Sequence, residues 1–406
     1  MNYPDKVFFS VIAATLLVAA VAVAKTDNER DDSKLLHEPH IAVCHPRDGD
    51  VRCHVRVITE SDRSTPKTTS LPNGFGPTQF HVAYSVPTTS ATKNIIAIVD
   101  AYDDPNIYSD LATYSKTYAI PVLPQCAGPI AASASPCFQK VNQFGQTFNY
   151  PSVNSGWALE ISLDVEVAHA MCQNCGILLV EASSNSYANL MAAVDRAVTL
   201  GANEVSNSYG SAEFSGETGY DAHFNHSGIV FTFSSGDAGY GVEYPAASQY
   251  VVAVGGTTLF LNSDNSYNSE TAWSGSGSGC SQYESKPTWQ SDASCTHRAI
   301  ADVSAVADPN TGAAVYDSVR YQGKSGWFKV GGTSLSSPLI AAVYGLQGTV
   351  GSSSPASLPY ALGNSANMHD ITSGSNGSCA GTYLCTALTG YDGPTGLGTP
   401  LGTSAF

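Results

Sequence analysis

Apolar residues along this chain fall in short runs separated by amphipathic stretches. The runs at 94–102, 176–182, 204–208, 229–234 and 250–254 are of strand length and rich in apolar residues, the pattern of strands covered on both faces. Between and after them, 157–171, 187–200 and 335–346 read as helices. Strand and helix in repeated alternation predict right-handed crossovers and a mainly parallel sheet flanked by helices, an α/β fold in a single main domain. Such sheets hold their sites in the loops at the carboxyl ends of the strands. The stretch 271–295 is rich in Ser and Gly and reads as a long surface loop. The tail 364–406, rich in Gly, Thr and Asn, reads as turns with little regular structure.

The amino-terminal part differs in character. Lys6 precedes an apolar run over 7–24 that ends Ala22-Val23-Ala24. Residues 1–24 therefore read as an export signal with a small-residue cleavage site. The alternative is an uncleaved anchor helix, since a run of about 18 residues just reaches spanning length. Residues 25–75 are polar, charged and rich in Pro, Ser and Thr, and read as a leader or short propeptide, leaving 76–406 as the main domain.

Composition narrows the class. Hydrophobic residues make up 43% of the 406 and charged residues 13%, a globular balance. No period of a solenoid or propeller repeats. The net charge is −16, and nearly all of it lies beyond residue 75, where 9 basic residues face 24 acidic ones. That excludes the basic face that nucleic acid requires. An acidic chain also loses charge as pH falls, which suits an acidic medium. The ten cysteines fall into sequence neighbours: Cys44 with Cys53, Cys126 with Cys137, Cys172 with Cys175, Cys280 with Cys295 and Cys379 with Cys385. Short-loop disulfides in an exported protein are the natural reading, although spacing does not fix connectivity. Cys172-x-x-Cys175 also fits a redox motif or half a zinc site, but no second such pair accompanies it.

Three groups carry candidate chemistry. In Gly331-Gly332-Thr333-Ser334-Leu335-Ser336-Ser337-Pro338 the glycines permit a tight turn into an apolar helix. Ser334 then sits at the positive end of the helix dipole, either as a reactive hydroxyl or simply as a helix cap. In the helix beginning at Trp157, Glu160 and Asp164 stand four apart on one face. They form either a solvated acidic face or a pair that shares a proton or a common partner. Apolar neighbours Leu163, Val165 and Val167 favour the packed, functional reading. Lastly, Asp237 lies in Ser235-Gly236-Asp237, just after a predicted strand. It is a turn residue or, if protonated, a hydrogen-bond donor to an oxyanion.

Together these pieces resemble the sedolisin family of serine-carboxyl peptidases, which have a subtilisin-like fold. The family pattern is a helix with Glu-x-x-x-Asp, a Gly-Asp turn, and Gly-Thr-Ser with Pro four residues later. Here Glu160 and Asp164, Gly236-Asp237, and Gly332-Thr333-Ser334 with Pro338 follow in that order. Tyr102-Asp-Asp-Pro105, Arg298-Ala-Ile-Ala-Asp302, Ala307-Asp308-Pro309 and Gly396-Leu-Gly398 are also similar, so that the resemblance runs from about Gly76 to the end. It implies that Ser334 is the nucleophile and Glu160 its general base. Asp164 would tune Glu160, and Asp237 would be a protonated oxyanion donor beside the Ser334 backbone N–H. A carboxylate base and a neutral carboxyl donor both call for acid solution.

The resemblance further implies a Ca2+ site near the end of the chain, from Asp370 with Ile371 and from Gly390-Tyr391-Asp392, with Leu388 where the family has glycine. Such oxygen ligands suit a hard cation. Ser208-Tyr209-Gly210 and 274–279 would line the cleft, with Tyr209 as a pocket wall. The family carries a folded propeptide far longer than residues 25–75. The expectation is a secreted, monomeric endopeptidase acting on protein or peptide substrates, with no nucleic-acid partner and no membrane contact after signal removal. Two alternatives stand beside it. A subtilisin-type peptidase would use Asp100, a histidine such as His169, and Ser334, but the His-Gly-Thr-His string is absent. A catalytically inactive binding protein would have lost one of Glu160, Asp164, Asp237 or Ser334, and none is lost. Asn225-His-Ser227 and Asn376-Gly-Ser378 are glycan acceptors by sequence.

Overall fold

The apolar runs assemble into one twisted sheet whose strand ends converge on a single cleft. The computed structural model describes residues 1, 37–45, 50–348 and 354–406. The export signal and the first part of the leader lie outside the described residues. In chain order, β1 (His40–Ala42), β2 (Arg52–Cys53), β3 (Arg56–Ile58), β4 (Thr68–Thr69) and α1 (Pro77–Tyr84) come first. Then follow β5 (Ile95–Ala101), α2 (Ile107–Thr117), β6 (Phe138–Asn142), α3 (Ser155–Met171), β7 (Gly176–Ala182), α4 (Tyr187–Thr199), β8 (Glu204–Asn207) and β9 (Tyr209–Ala212). Next are β10 (Val230–Ser234), β11 (Glu243–Tyr244), β12 (Val252–Leu261), β13 (Tyr267–Ala272), β14 (Gly279–Ser285) and β15 (His297–Ile300). The last long elements are β16 (Val303–Val306), β17 (Ala313–Tyr321), β18 (Lys324–Gly331) and α5 (Thr333–Gln347).

The main sheet has the order β13-β12-β10-β8-β5-β7-β6, with β16 also on β12. Every pairing in it is parallel except β12 with β13. Parallel strands need cover on both faces, and the sequence supplies it. Each residue of β5 and of β7 is buried. β5 lies beside β7 with Asp100 opposite Glu181, and beside β8 with Val99 opposite Asn207. A second sheet joins β1, β3, β18 and β17, and a third joins β11, β9 and β2. Residues 37–45 and 50–69 thus carry strands that pair with the rest of the chain.

Helix α3 is the unusual element. Its cap is Asn154, whose side chain accepts from the N–H groups of Gly156 and Trp157. Every residue from Gly156 to Met171 is buried, so it has no solvent face. It nevertheless carries Glu160, Asp164, Glu166 and His169. Carboxyls in such a place cost free energy unless they are protonated or paired.

All five disulfides join sequence neighbours: Cys44–Cys53, Cys126–Cys137, Cys172–Cys175, Cys280–Cys295 and Cys379–Cys385. Among the described residues no helix is long and apolar enough to cross a membrane. The stretch 271–295 departs from the expected surface loop. It contains β14, which pairs with β15, and its Ser276 and Ser278 are buried. The small residues serve close packing: a Cβ on Gly277 would stand 2.0 Å from the Ser235 carbonyl oxygen. The tail matches expectation, with only the short strands β19 (Met368–His369) and β20 (Thr399–Pro400). Asn376 is buried with its amide donating to Ser278 Oγ at 2.8 Å, so it is no glycan acceptor in the folded chain.

Candidate active site

Ser334 is delivered by the turn from β18 into α5. Gly332 has φ of +99°, a conformation open to glycine at little cost, and the helix begins at the next residue. Ser334 therefore sits in the first turn, where backbone N–H groups have no helical acceptor. Pro338 lies in the same helix. Having no N–H, it leaves the Ser334 carbonyl without its i+4 partner, and Ser208 Oγ donates to that carbonyl at 3.4 Å instead. The Ser334 hydroxyl reaches the Ser208 carbonyl at 3.4 Å. Its nearness to Glu160 tempers the rise of the Glu160 pKa.

Glu160 and Asp164 extend from α3 toward the same spot. Glu160 Oε2 accepts the Val55 N–H at 2.9 Å, and both side chains are buried. Burial drives the Glu160 carboxyl well above its usual range, and the neighbouring charge of Asp100 adds to this. Asp164 is raised in the same way, by burial first, then by Asp100 and Glu160. Asp100, at the end of β5, is itself pushed up to about 8 by burial. Three carboxyls thus share one dry pocket, and like charges so placed cannot all ionise.

Asp237 approaches from the other side, in the turn after β10. Its Oδ1 accepts from Thr333 N–H at 2.7 Å and from Thr333 Oγ1 at 2.9 Å. Its Oδ2 is buried without a protein partner. Burial raises the Asp237 pKa, against the pull of His54 and Arg56. Asp237 Oδ2 stands 2.6 Å from the point where a Cβ on Gly332 would lie, two residues before Ser334.

Two other acidic groups lie away from this pocket. Near the end of the chain, Asp370 accepts the Gly390 N–H at 3.0 Å. Asp392 accepts from Leu388 N–H at 3.1 Å and from Thr395 N–H at 2.9 Å. Asp392 is raised to about 7 by burial, and the charge of Asp370 contributes. Ile371 is buried and Leu388 exposed, each beside this loop. The two carboxyls lie close enough for the charge of Asp370 to be felt at Asp392, and oxygen donors of this kind suit a hard cation. The second group was not singled out in the sequence: carboxylate oxygens of Asp104, Asp110 and Asp317 lie within 4.8 Å of one another, all buried.

The sequence brings the main players together but misjudges some neighbours. Tyr209 is no pocket wall: it is buried, packs edge-on against Phe233, and donates to Asn207 Oδ1 at 2.8 Å. His169 Nε2 donates to the Pro121 carbonyl at 2.7 Å, and burial lowers the His169 pKa to about 4. Missing from the reading were His54 and Glu243, whose side chains meet 2.9 Å apart beside the cleft. Alternation of Val51, Cys53, Val55 and Val57 with Arg52, His54 and Arg56 was the available strand signal.

A parallel sheet with a serine at a helix mouth and carboxyls at the strand ends is the framework of the subtilase family. The signature of that family matches residues 125–390, and the chain belongs to it. Within it, the chain is one of the sedolisins. Sedolisin of Pseudomonas sp. (strain 101) is 30% identical over 387 residues, covering 84% of this chain and 62% of that protein. Kumamolisin of Bacillus sp. (strain MN-32) is 27% identical, covering 99% of this chain and 73% of that one. The solved structure of Pseudomonas sedolisin, titled a serine-carboxyl proteinase in complex with pseudo-iodotyrostatin, superposes with a TM-score of 0.66 at 27% identity, over 81% of this chain and 96% of that one. The chain thus spans less than two thirds of the Pseudomonas relative's full length.

Proposed function

We propose that this protein is a secreted serine-carboxyl endopeptidase that works in acid. The observation that carries the reading is the convergence of buried Ser334, Glu160 and Asp164 at the strand ends, with Asp237 close enough for its charge to be felt at Glu160. Ser334 is the nucleophile and Glu160 takes its proton. Asp164 shares the proton of the pocket and tunes Glu160. Asp237 in its protonated form, with the Ser334 backbone N–H, stabilises the oxyanion. The acyl-enzyme on Ser334 is then hydrolysed by water that Glu160 activates. Burial supports this division of labour, because it keeps Asp237 protonated further up the pH scale than a free carboxyl.

Protein and peptide chains are the substrates in this reading, and the enzyme acts as a monomer. Residues 1–24 are the export signal, 25–75 the leader and 76–406 the peptidase domain. Five disulfides favour an oxidising compartment. Asp370 and Asp392, with the carbonyls of Ile371, Leu388 and Gly390, would hold Ca2+, whose charge would offset the two carboxylates and brace the closing loops. The test is the rate of hydrolysis of a denatured protein from about pH 2 to 9. An acid optimum is expected. An optimum near pH 8 would mean a neutral base in place of Glu160 and overturn the assignment.

A further inference from the structure

The strands that precede the main domain lie along the cleft itself. β2 runs antiparallel to β9, with Arg52 opposite Gly210 and Cys53 opposite Tyr209. The His54 N–H donates to the Ser208 carbonyl at 3.1 Å. Two residues on, Arg56 in β3 stands opposite Gly331 in β18. The peptide between His54 and Val55 is therefore pinned from both sides by added-strand pairing, the way many proteins grip an extended peptide.

That one peptide also meets the catalytic groups. The His54 carbonyl oxygen stands 1.9 Å, and Asp237 Oδ2 2.6 Å, from the point where a Cβ on Gly332 would lie. Ser334 is two residues further on. The Val55 N–H donates to Glu160 Oε2 at 2.9 Å. The carbonyl oxygen and Asp237 Oδ2 thus border the same spot beside Gly332, and the nitrogen faces the acid that would protonate a leaving amine.

The His54 side chain fills a buried pocket. Its Nδ1 is 2.6 Å from Ser234 Oγ and its Nε2 is 2.9 Å from Glu243 Oε2. Gly210 and Gly236 floor this pocket against Glu243: a Cβ on either would stand 3.0 Å or 2.9 Å from the carboxyl group. Arg52 pairs with the same Glu243. The pocket is narrow, closed by a carboxylate, and suited to a cationic side chain.

Resting on the peptidase reading above, we infer that His54–Val55 is a bond this chain cuts in itself, and that Glu243 makes its specificity pocket one for basic residues. In the step, Ser334 Oγ attacks the His54 carbonyl carbon while its proton passes to Glu160. The His54–Val55 C–N bond breaks and Glu160 returns that proton to the Val55 nitrogen. Water then hydrolyses the His54 ester on Ser334. The products are a carboxylate at His54 and a new amino terminus at Val55.

The experiment incubates the purified full chain near pH 4 and follows it by intact mass and amino-terminal sequencing, with turnover of an added denatured protein measured in the same samples. Expected is a new terminus at Val55 in the wild type and none in Ser334→Ala. His54→Lys keeps the cut, whereas His54→Asp, which sets a carboxylate against Glu243, slows it by about 100-fold. Glu243→Gln lowers the preference for Lys or Arg over Leu before the cut in peptide substrates by about 10-fold or more. Turnover of the added protein with residues 54 and 55 still joined, or an equal rate for His54→Asp, would overturn this inference and leave the peptidase reading standing. Neither a cut nor turnover at any pH would overturn both.

Discussion

Val55 donates its backbone N–H to Glu160 across 2.9 Å, so a strand from outside the main sheet ends on the carboxyl that faces Ser334. Glu160 thus accepts from an amide, with the Ser334 hydroxyl close by and with Asp100 and Asp164 as charged neighbours. This arrangement supplies the first expectation. Ser334→Ala and Glu160→Gln should each lower kcat by roughly 10⁴- to 10⁶-fold, the scale of losing a nucleophile or its base. Both variants should melt within a few degrees of wild type. Near-normal turnover in either would remove that residue from the mechanism.

Asp237 gives a sharper test of charge. An Asn at this position keeps an acceptor for Thr333 and offers an N–H that does not titrate. In the wild type, donation by Oδ2 is lost as pH rises through a value that burial has raised. Asp237→Asn should therefore carry activity further toward neutral pH than wild type, although at a lower maximum. A rate profile with an unchanged alkaline limb would show that Asp237 is not the group being titrated.

Stability should fall as pH rises above neutrality. Burial raises Asp104 to about 7 and both Asp317 and Glu181 to about 9. Their unfolded counterparts titrate near 4. The folded chain thus holds protons that the unfolded one has lost, so the stabilisation is full below about pH 4 and drains as pH climbs to the folded values. His40 and His169, lowered to about 4, act oppositely, but only below their unfolded value near 6.5. From about pH 6.5 to 9 the carboxyls act alone, and the melting temperature should decline. A level or rising curve by calorimetry would contradict the burial of these groups.

Chelation tests the loop near the end of the chain. If a cation neutralises Asp370 and Asp392, removing it should lower the melting temperature by several degrees, and added Ca2+ should restore it. Asp392→Ala should melt lower and no longer respond to either treatment. A wild type indifferent to chelator would take both residues out of any metal site.

The buried pair of Arg298 and Asp302 is a structural counterpart. Arg298 Nη1 meets Asp302 Oδ1 at 2.7 Å, and Asp302 also accepts from Ala253 N–H at 2.7 Å and from Tyr360 at 2.8 Å. Removing one partner strands a charge without water, so Asp302→Ala should cost about 3–5 kcal/mol. Denaturant unfolding reads this directly, and a loss under about 1 kcal/mol would mean that water reaches Arg298.

Much of this was legible in the chain. Runs such as 95–99 are apolar throughout, and a parallel sheet covered on both sides buries such a run. Glu160, Asp164, Asp237 and Ser334 were legible because their local patterns are short and ordered. What escaped notice depends on distant contacts. Burial of Ser276 and Ser278 comes from packing against backbone, which composition does not encode. Tyr209 turns inward because Asn207 offers its hydroxyl an acceptor there. Arg52 and His54 lie 191 and 189 residues from Glu243 in sequence, and no local period reports such a meeting.

Each disulfide closes a loop of its own neighbourhood, and Cys44–Cys53 ends just before His54. No bridge spans the junction of His54 and Val55. A chain opened there becomes two separate molecules, joined only by strand pairing and by the grip of Glu243. Parting them is then a question of dilution: the smaller piece leaves at a rate, rebinds with an affinity, and in a crowded vessel competes with every other peptide for the cleft.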